Sequence, residues 1–274
     1  MNQSLKTKIK PILFAAALIV LSVVVQAVAG MLGGFAISFG AVLQGKTLDV
    51  QSFAPVFLFL AEIACILVFG IWYFVKCVKR DKNEGVYESG LKKILNIKDL
   101  AFITTLAIAG FFLANIIAGV VSAVIPGSGE SLESLMDSIY GEGNVLGTIT
   151  TVLLAPIAEE IVFRGLLVKN AKKVFGLTGC MVLSGIAFGI YHFQPVQSIY
   201  AIPLGMILAY LAYKYNSIIP AILAHAINNS IAVFLPKIYH GDMGYITCTV
   251  LCLAFLAVSF VIKKCFFKKE LAIS

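Results

Sequence analysis

The sequence predicts an all-α, polytopic membrane protein of about eight transmembrane helices with both termini cytoplasmic. Three observations carry this. Of the 274 residues, 60% are hydrophobic. Only 13% are charged and the mean hydropathy is +0.97; a soluble domain carries about twice that charge fraction. Apolar runs recur along the chain, several near the ~20 residues that cross a bilayer as a helix. This composition excludes a soluble globular domain, a disordered chain and a disulfide scaffold. The longest polar stretches, 79–99 and 126–147, are too short for a separate soluble domain. Residues 1–274 therefore read as a single integral membrane domain, with a motif-bearing core at about 147–235.

The first apolar run, 11–30, follows Lys6, Lys8 and Lys10 and holds Ala27-Val28-Ala29, features shared with secretory signals. Low-polarity sequence continues through 31–43, however, well past the ~7–15 residues of a signal core. A retained helix is expected. Runs at 54–76, 100–125 and 147–168 follow. Two shorter runs, 178–193 and 197–213, are separated by the turn Gln194-Pro195-Val196-Gln197. Runs at 218–235 and 244–262 complete the eight.

An even number of spans puts both termini on one side. With the N-terminus inside, 18 of the 21 Lys and Arg fall on the inner side. Lys46 and Lys237 fall outside, and Arg164 lies within a span. Cytoplasmic loops collect basic residues, so this partition fixes the expected orientation. The stretch 126–147, with Glu130, Glu133, Asp137 and Glu142 and no basic residue, is expected as an outer loop. The net charge of +7 thus belongs to membrane topology and calls for the lipid bilayer as partner, not nucleic acid. The predominance of Lys over Arg hints at an AT-rich bacterial genome and a bacterial cell membrane. The six cysteines form no CxxC pair and read as packing residues. No internal repeat is visible, which disfavours a transporter.

Charge at bilayer depth is costly and marks function. The fourth run contains Glu159-Glu160-Ile161-Val162-Phe163-Arg164. Glu160 and Arg164, at i and i+4, share a helix face and can pair. Glu159 lies about 100° away around the helix and is left free for chemistry. Desolvation makes such a carboxylate a better proton acceptor, as a general base requires. His192 ends the fifth run, four residues after Phe188, and His225 lies in the seventh with Asn229 at i+4. An imidazole and a carboxamide on one face suit a developing oxyanion. By helix rise, Glu159 stands ~16 Å from Asn170, His225 about as far from Lys214, and His192 ~21 Å from Thr178. The three levels agree if the fifth helix starts near Thr178 and disagree if it starts at Lys173. A lone membrane His can simply hydrogen-bond between helices, but the whole constellation points to acid–base hydrolysis or metal binding. Glu62, in the second run, has no partner in sequence and reads as cavity-lining or helix glue. His240 is expected in a solvated outer loop, and Asn228 as a helix–helix hydrogen bonder.

These residues resemble the CAAX protease and bacteriocin-processing (Abi) family of intramembrane proteases. That family shows E-E-x-x-x-R, F-x-x-x-H and H-x-x-x-N/D on successive helices. Here they stand as Glu159-Glu160 to Arg164, Phe188 to His192 and His225 to Asn229. The resemblance covers residues 156–229 and shows no departure in the motif residues. It implies proteolysis of a membrane-associated peptide or protein in a helical cavity open to the cytoplasm. Glu159 and His192 would activate water, His225 with Asn229 would hold the oxyanion, and Glu160, Arg164 and Phe188 would shape the site. No cofactor is favoured; zinc, on Glu159, His192 and His225, is the alternative. A non-proteolytic membrane regulator or bacteriocin-immunity protein is the second reading, and a transporter the third.

Overall fold

Inside a bilayer no water satisfies backbone N–H and C=O groups, so a lone apolar segment must close its hydrogen bonds within itself as a helix. The computed structural model describes residues 3–45, 53–87, 89–239 and 243–266. Lys46, His240, Lys268 and Lys269 lie outside the described residues. The described chain is helical, with no strand among those residues. Helices are labelled α1 (Gln3–Leu43), α2 (Ala54–Asn83), α3 (Leu91–Ile94), α4 (Ile97–Val124) and α5 (Ser128–Tyr140). They continue as α6 (Val145–Ala171), α7 (Leu177–Tyr191), α8 (Pro195–Tyr215), α9 (Ile219–Ile238) and α10 (Gly244–Phe266). Seven of them are long and apolar enough to cross a membrane, so the protein is a polytopic all-α membrane protein. The fifth expected span, α7, is only 15 residues. At ~22 Å it is shorter than a ~30 Å hydrocarbon core.

The helix ends follow local chemistry. Asn96 caps α4 by accepting from the Lys98 N–H, and Asn144 caps α6 by accepting from Gly147. Proline stands in the first turn of α2, α8 and α9, where its missing N–H costs nothing. The turn between α7 and α8 is tighter than the sequence suggested. Phe193 adopts a left-handed conformation (φ 56°), which a non-glycine residue holds only under local strain. The Gln194 side chain then caps α8 by accepting from Gln197.

One expectation needs correction. The stretch 126–147 is not a plain loop, because Ser128–Tyr140 forms α5. Leu132, Met136 and Ile139 are half-buried, while Glu130, Glu133 and Asp137 are exposed. That is an amphipathic helix with an acidic outer face. Gln194 donates Nε2–H to the Ser128 carbonyl at 3.1 Å, tying α5 to the α7–α8 turn.

Helix α6 is the central rod. Every residue from Ile161 to Val168 is buried, because α1, α2, α7 and α8 all pack on it. One apolar cluster joins Leu18, Cys65, Phe69, Phe163, Leu167 and Phe188 around this rod. A second joins Phe102, Ile103, Leu208, Leu211 and Ala221 between α4, α8 and α9. Two stretches of α6, Thr150–Leu154 and Ile161–Val168, are π-helical. Such widened turns recur at functional sites. At the expected inner end, Asp81 pairs with both Arg80 and Lys169, fastening α2 to α6. Nearby, the Tyr215 hydroxyl donates to Asp99 at 2.7 Å, fastening α8 to α4. Five cysteines are buried, as packing residues are, and Cys265 is exposed.

Candidate active site

Helix α7 begins at Leu177, the start at which the depths of Glu159, His192 and His225 agree. The three helices α6, α7 and α9 bring their polar side chains to one level. Glu160 is wholly buried, and its Oε1 accepts from Arg164 Nη1 at 2.6 Å and from His225 Nδ1 at 3.0 Å. The first bond is the i,i+4 pair expected from spacing; the second crosses from α9 and closes the site. Arg164 also donates Nη2–H to the Gly205 carbonyl at 3.0 Å. Its guanidinium lies over the Phe188 ring at 4.5 Å, a cation–π contact away from water.

Phe188 is the hub of the packing. Its ring meets His192 edge-on at 4.6 Å and His225 edge-on at 5.7 Å between centroids. His192 Nδ1 lies 2.7 Å from the Phe188 carbonyl. A carbonyl only accepts, so Nδ1 carries the proton, and a neutral ring then keeps its lone pair on Nε2. Glu160 orients His225 by holding its Nδ1–H, which points Nε2 away from that carboxylate. The nearest carboxylate oxygen to that Nε2 is Glu159 Oε2 at 3.7 Å. This separation is an ionic contact and too long for a hydrogen bond.

The two adjacent glutamates therefore differ in kind. Glu160 is held by a guanidinium and an imidazole. Glu159 has no cation paired to it at bonding distance, and its side chain is 11% exposed against none for Glu160. Asn229 donates Nδ2–H to the Thr151 carbonyl of the first π-helical stretch at 2.9 Å. One amide hydrogen is thus spent on α6, and the second remains as a donor. Asn228, the neighbour on α9, is buried and lies against Gly110 of α4 rather than this cluster.

A zinc ion fits these donors poorly as they stand. Both Nε2 atoms remain available, since it is Nδ1 that is engaged in each ring, but among the described residues no three His, Cys, Asp or Glu groups lie together in a ligating arrangement. The chemistry the arrangement offers is a carboxylate, two oriented imidazoles and the Asn229 amide on converging helices. Two features escaped the sequence reading. Gly205 contributes a backbone carbonyl, which no side-chain pattern reveals. Gln26 of α1 donates to Glu62 at 3.3 Å and to the Tyr191 hydroxyl at 2.7 Å. A glutamine inside an apolar 41-residue helix was the available signal.

Comparison with known proteins gives two matches. Residues 141–231, which contain all the motif residues, match the family model described as type II CAAX prenyl endopeptidase Rce1-like. The chain is similar to a Bacillus subtilis (strain 168) protein named "Putative membrane peptidase YdiL". The two are 26% identical over 179 residues, covering 63% of this chain and 68% of that protein. No solved structure matches the chain. Together the two matches support a CAAX protease family for this chain and a membrane protease in general terms.

Proposed function

We propose that this chain, with its motif-bearing segment in a CAAX protease family, is an intramembrane endopeptidase that cleaves a membrane-associated peptide or protein. The observation that carries the reading is the division of labour between the paired glutamates. Glu160 is bound through its Oε1 to both Arg164 and His225, while Glu159 beside it stands next to the His225 Nε2 without a bonded cation. A carboxylate in that state is suited to take a proton from water.

In the proposed reaction a water molecule bound between Glu159 and His192 Nε2 gives a proton to Glu159. Its oxygen attacks the scissile carbonyl carbon, and the carbonyl π pair moves onto oxygen. His225, carrying a proton on each ring nitrogen, donates Nε2–H to that oxyanion, and Asn229 donates its second amide hydrogen. Glu160 balances the charge of the doubly protonated ring. When the C–N bond breaks, Glu159 returns its proton to the departing amine. Every step is supplied by side chains of this chain, so no metal is invoked. The active site opens toward the cytoplasm, in a bacterial multi-pass membrane protein.

Purified wild type, Glu159→Ala and His225→Ala are to be compared on membrane-anchored peptides, with and without chelator. Cleavage by wild type alone, unaffected by chelator, is the expected result. Cleavage abolished by chelator would replace the glutamate mechanism with a metal-dependent one. Equal phenotypes of wild type and Glu159→Ala in cells would favour a non-proteolytic regulator.

A further inference from the structure

Glu62 is a buried carboxyl that the proposed reaction leaves unused. It stands on α2 beside Ala61 and Cys65 and is 2% exposed. Its Oε1 accepts from Gln26 Nε2, and its Oε2 has no partner among the described residues. The second hydrogen of the Gln26 amide goes to the Tyr191 hydroxyl at 2.7 Å. A three-residue relay thus runs from α2 through α1 to the last residue of α7, next to His192. The Tyr191 ring lies 5.2 Å from Phe163 and 5.7 Å from the His192 ring, centroid to centroid. Cys65, one turn from Glu62, and Tyr191 pack in the same apolar cluster as Phe163 and Phe188, so the relay borders the site.

A lone carboxyl is a costly way to join helices in a bilayer, where Ser, Asn or Gln does so without the desolvation of an acid. Its place at the foot of a relay that ends at Tyr191, beside His192, points to a role at the site. We propose that Glu62 is a positioning residue. Through Gln26 it fixes the Tyr191 hydroxyl and the rotation of the last turn of α7, holding the His192 ring in its edge-on contact with Phe188. This rests on the hydrolytic reading above.

The test uses the full-length protein in detergent with Glu62→Leu, Glu62→Gln and Tyr191→Phe. In Glu62→Leu, kcat falls on the order of 10–100-fold while KM moves less than about threefold, as for a displaced catalytic group. Glu62→Gln keeps an acceptor for Gln26 and recovers most of the rate. Tyr191→Phe breaks the relay at its other end, and the Glu62→Leu/Tyr191→Phe double variant is no slower than the worse single one. A second readout needs no turnover. The imidazole nitrogen resonances of His192, identified by their loss in His192→Gln, shift in Glu62→Leu and Tyr191→Phe while those of His225 hold. Wild-type kcat together with unshifted His192 resonances in Glu62→Leu would overturn the proposal, as would additive losses in the double variant. Should Glu62→Leu fail to accumulate, Tyr191→Phe and Glu62→Gln carry the same measurements. Absence of wild-type cleavage would defeat the proteolytic reading, and the resonances alone would then decide the role of Glu62.

Discussion

At the scale of residues, Glu159 and Glu160 are neighbours in the chain that answer to different physics. Glu160 has Arg164 and His225 within bonding distance and no exposure. Arg164→Leu strands that carboxylate inside the protein, and breaking one half of a buried pair costs ~3–5 kcal/mol. A large fall in thermal unfolding temperature in detergent is therefore expected for Arg164→Leu. Glu159→Gln keeps the shape and breaks no bonded pair. It leaves the unfolding temperature near that of wild type while removing the base, a loss of ~10²–10⁴ in cleavage rate. Equal destabilisation by the two substitutions would show that the glutamates are not divided as described. The Glu160–Arg164 bond was legible from spacing alone, because i and i+4 adjoin on any helix. The Glu160–His225 bond was not, since 65 residues separate the partners and no local rule reports tertiary contact.

At the scale of elements, the α7–α8 hairpin delivers His192, and its closeness depends on absent side chains. A Cβ on Gly185 would stand 2.7 Å from the Ile202 carbonyl oxygen, and one on Gly189 would stand 2.5 Å from that of Ser198. Gly185 and Gly189 form a small-xxx-small pair, the pattern by which membrane helices approach closely. It was present in the sequence, but in an apolar run glycines carry no periodic signal that separates packing from chance. Gly189→Ala forces the helices apart, at ~1–3 kcal/mol of overpacking. Because His192 lies three residues beyond, cleavage falls by more than the stability loss alone explains. Kinetics measured well below the unfolding temperature check this, and an unchanged kcat in a folded Gly189→Ala protein would count against the hairpin as the support of His192. Helix α5 was legible too, in Leu132, Met136 and Ile139 at i, i+4 and i+7. Its dense acidic and serine residues read as loop because hydropathy windows reward length, and 13 residues fall short of a span.

At the scale of the whole molecule, all eight apolar runs exist as helices, and the seven longer ones qualify as membrane spans. What predicts their direction is the partition of lysines, a property of the charge pattern that no single contact contains. With the basic ends inside, α6 descends from Val145 at the outer face to Ala171 at the inner face. Glu159 then stands ~21 Å of helix from one end and ~18 Å from the other, close to the membrane midplane. On the proposed reading, a substrate backbone would have to reach deep into the helix bundle. This orientation predicts a labelling pattern in a variant lacking the exposed Cys265. A cysteine at Ser134 on α5 reacts with an impermeant maleimide on intact cells. One at Lys92, in the basic segment between α2 and α4, reacts only after the membrane is opened. The reverse pattern would place the lysine-rich ends outside, against the strongest electrostatic bias in the chain, and would turn the proposed cytoplasmic opening of the site to the other face.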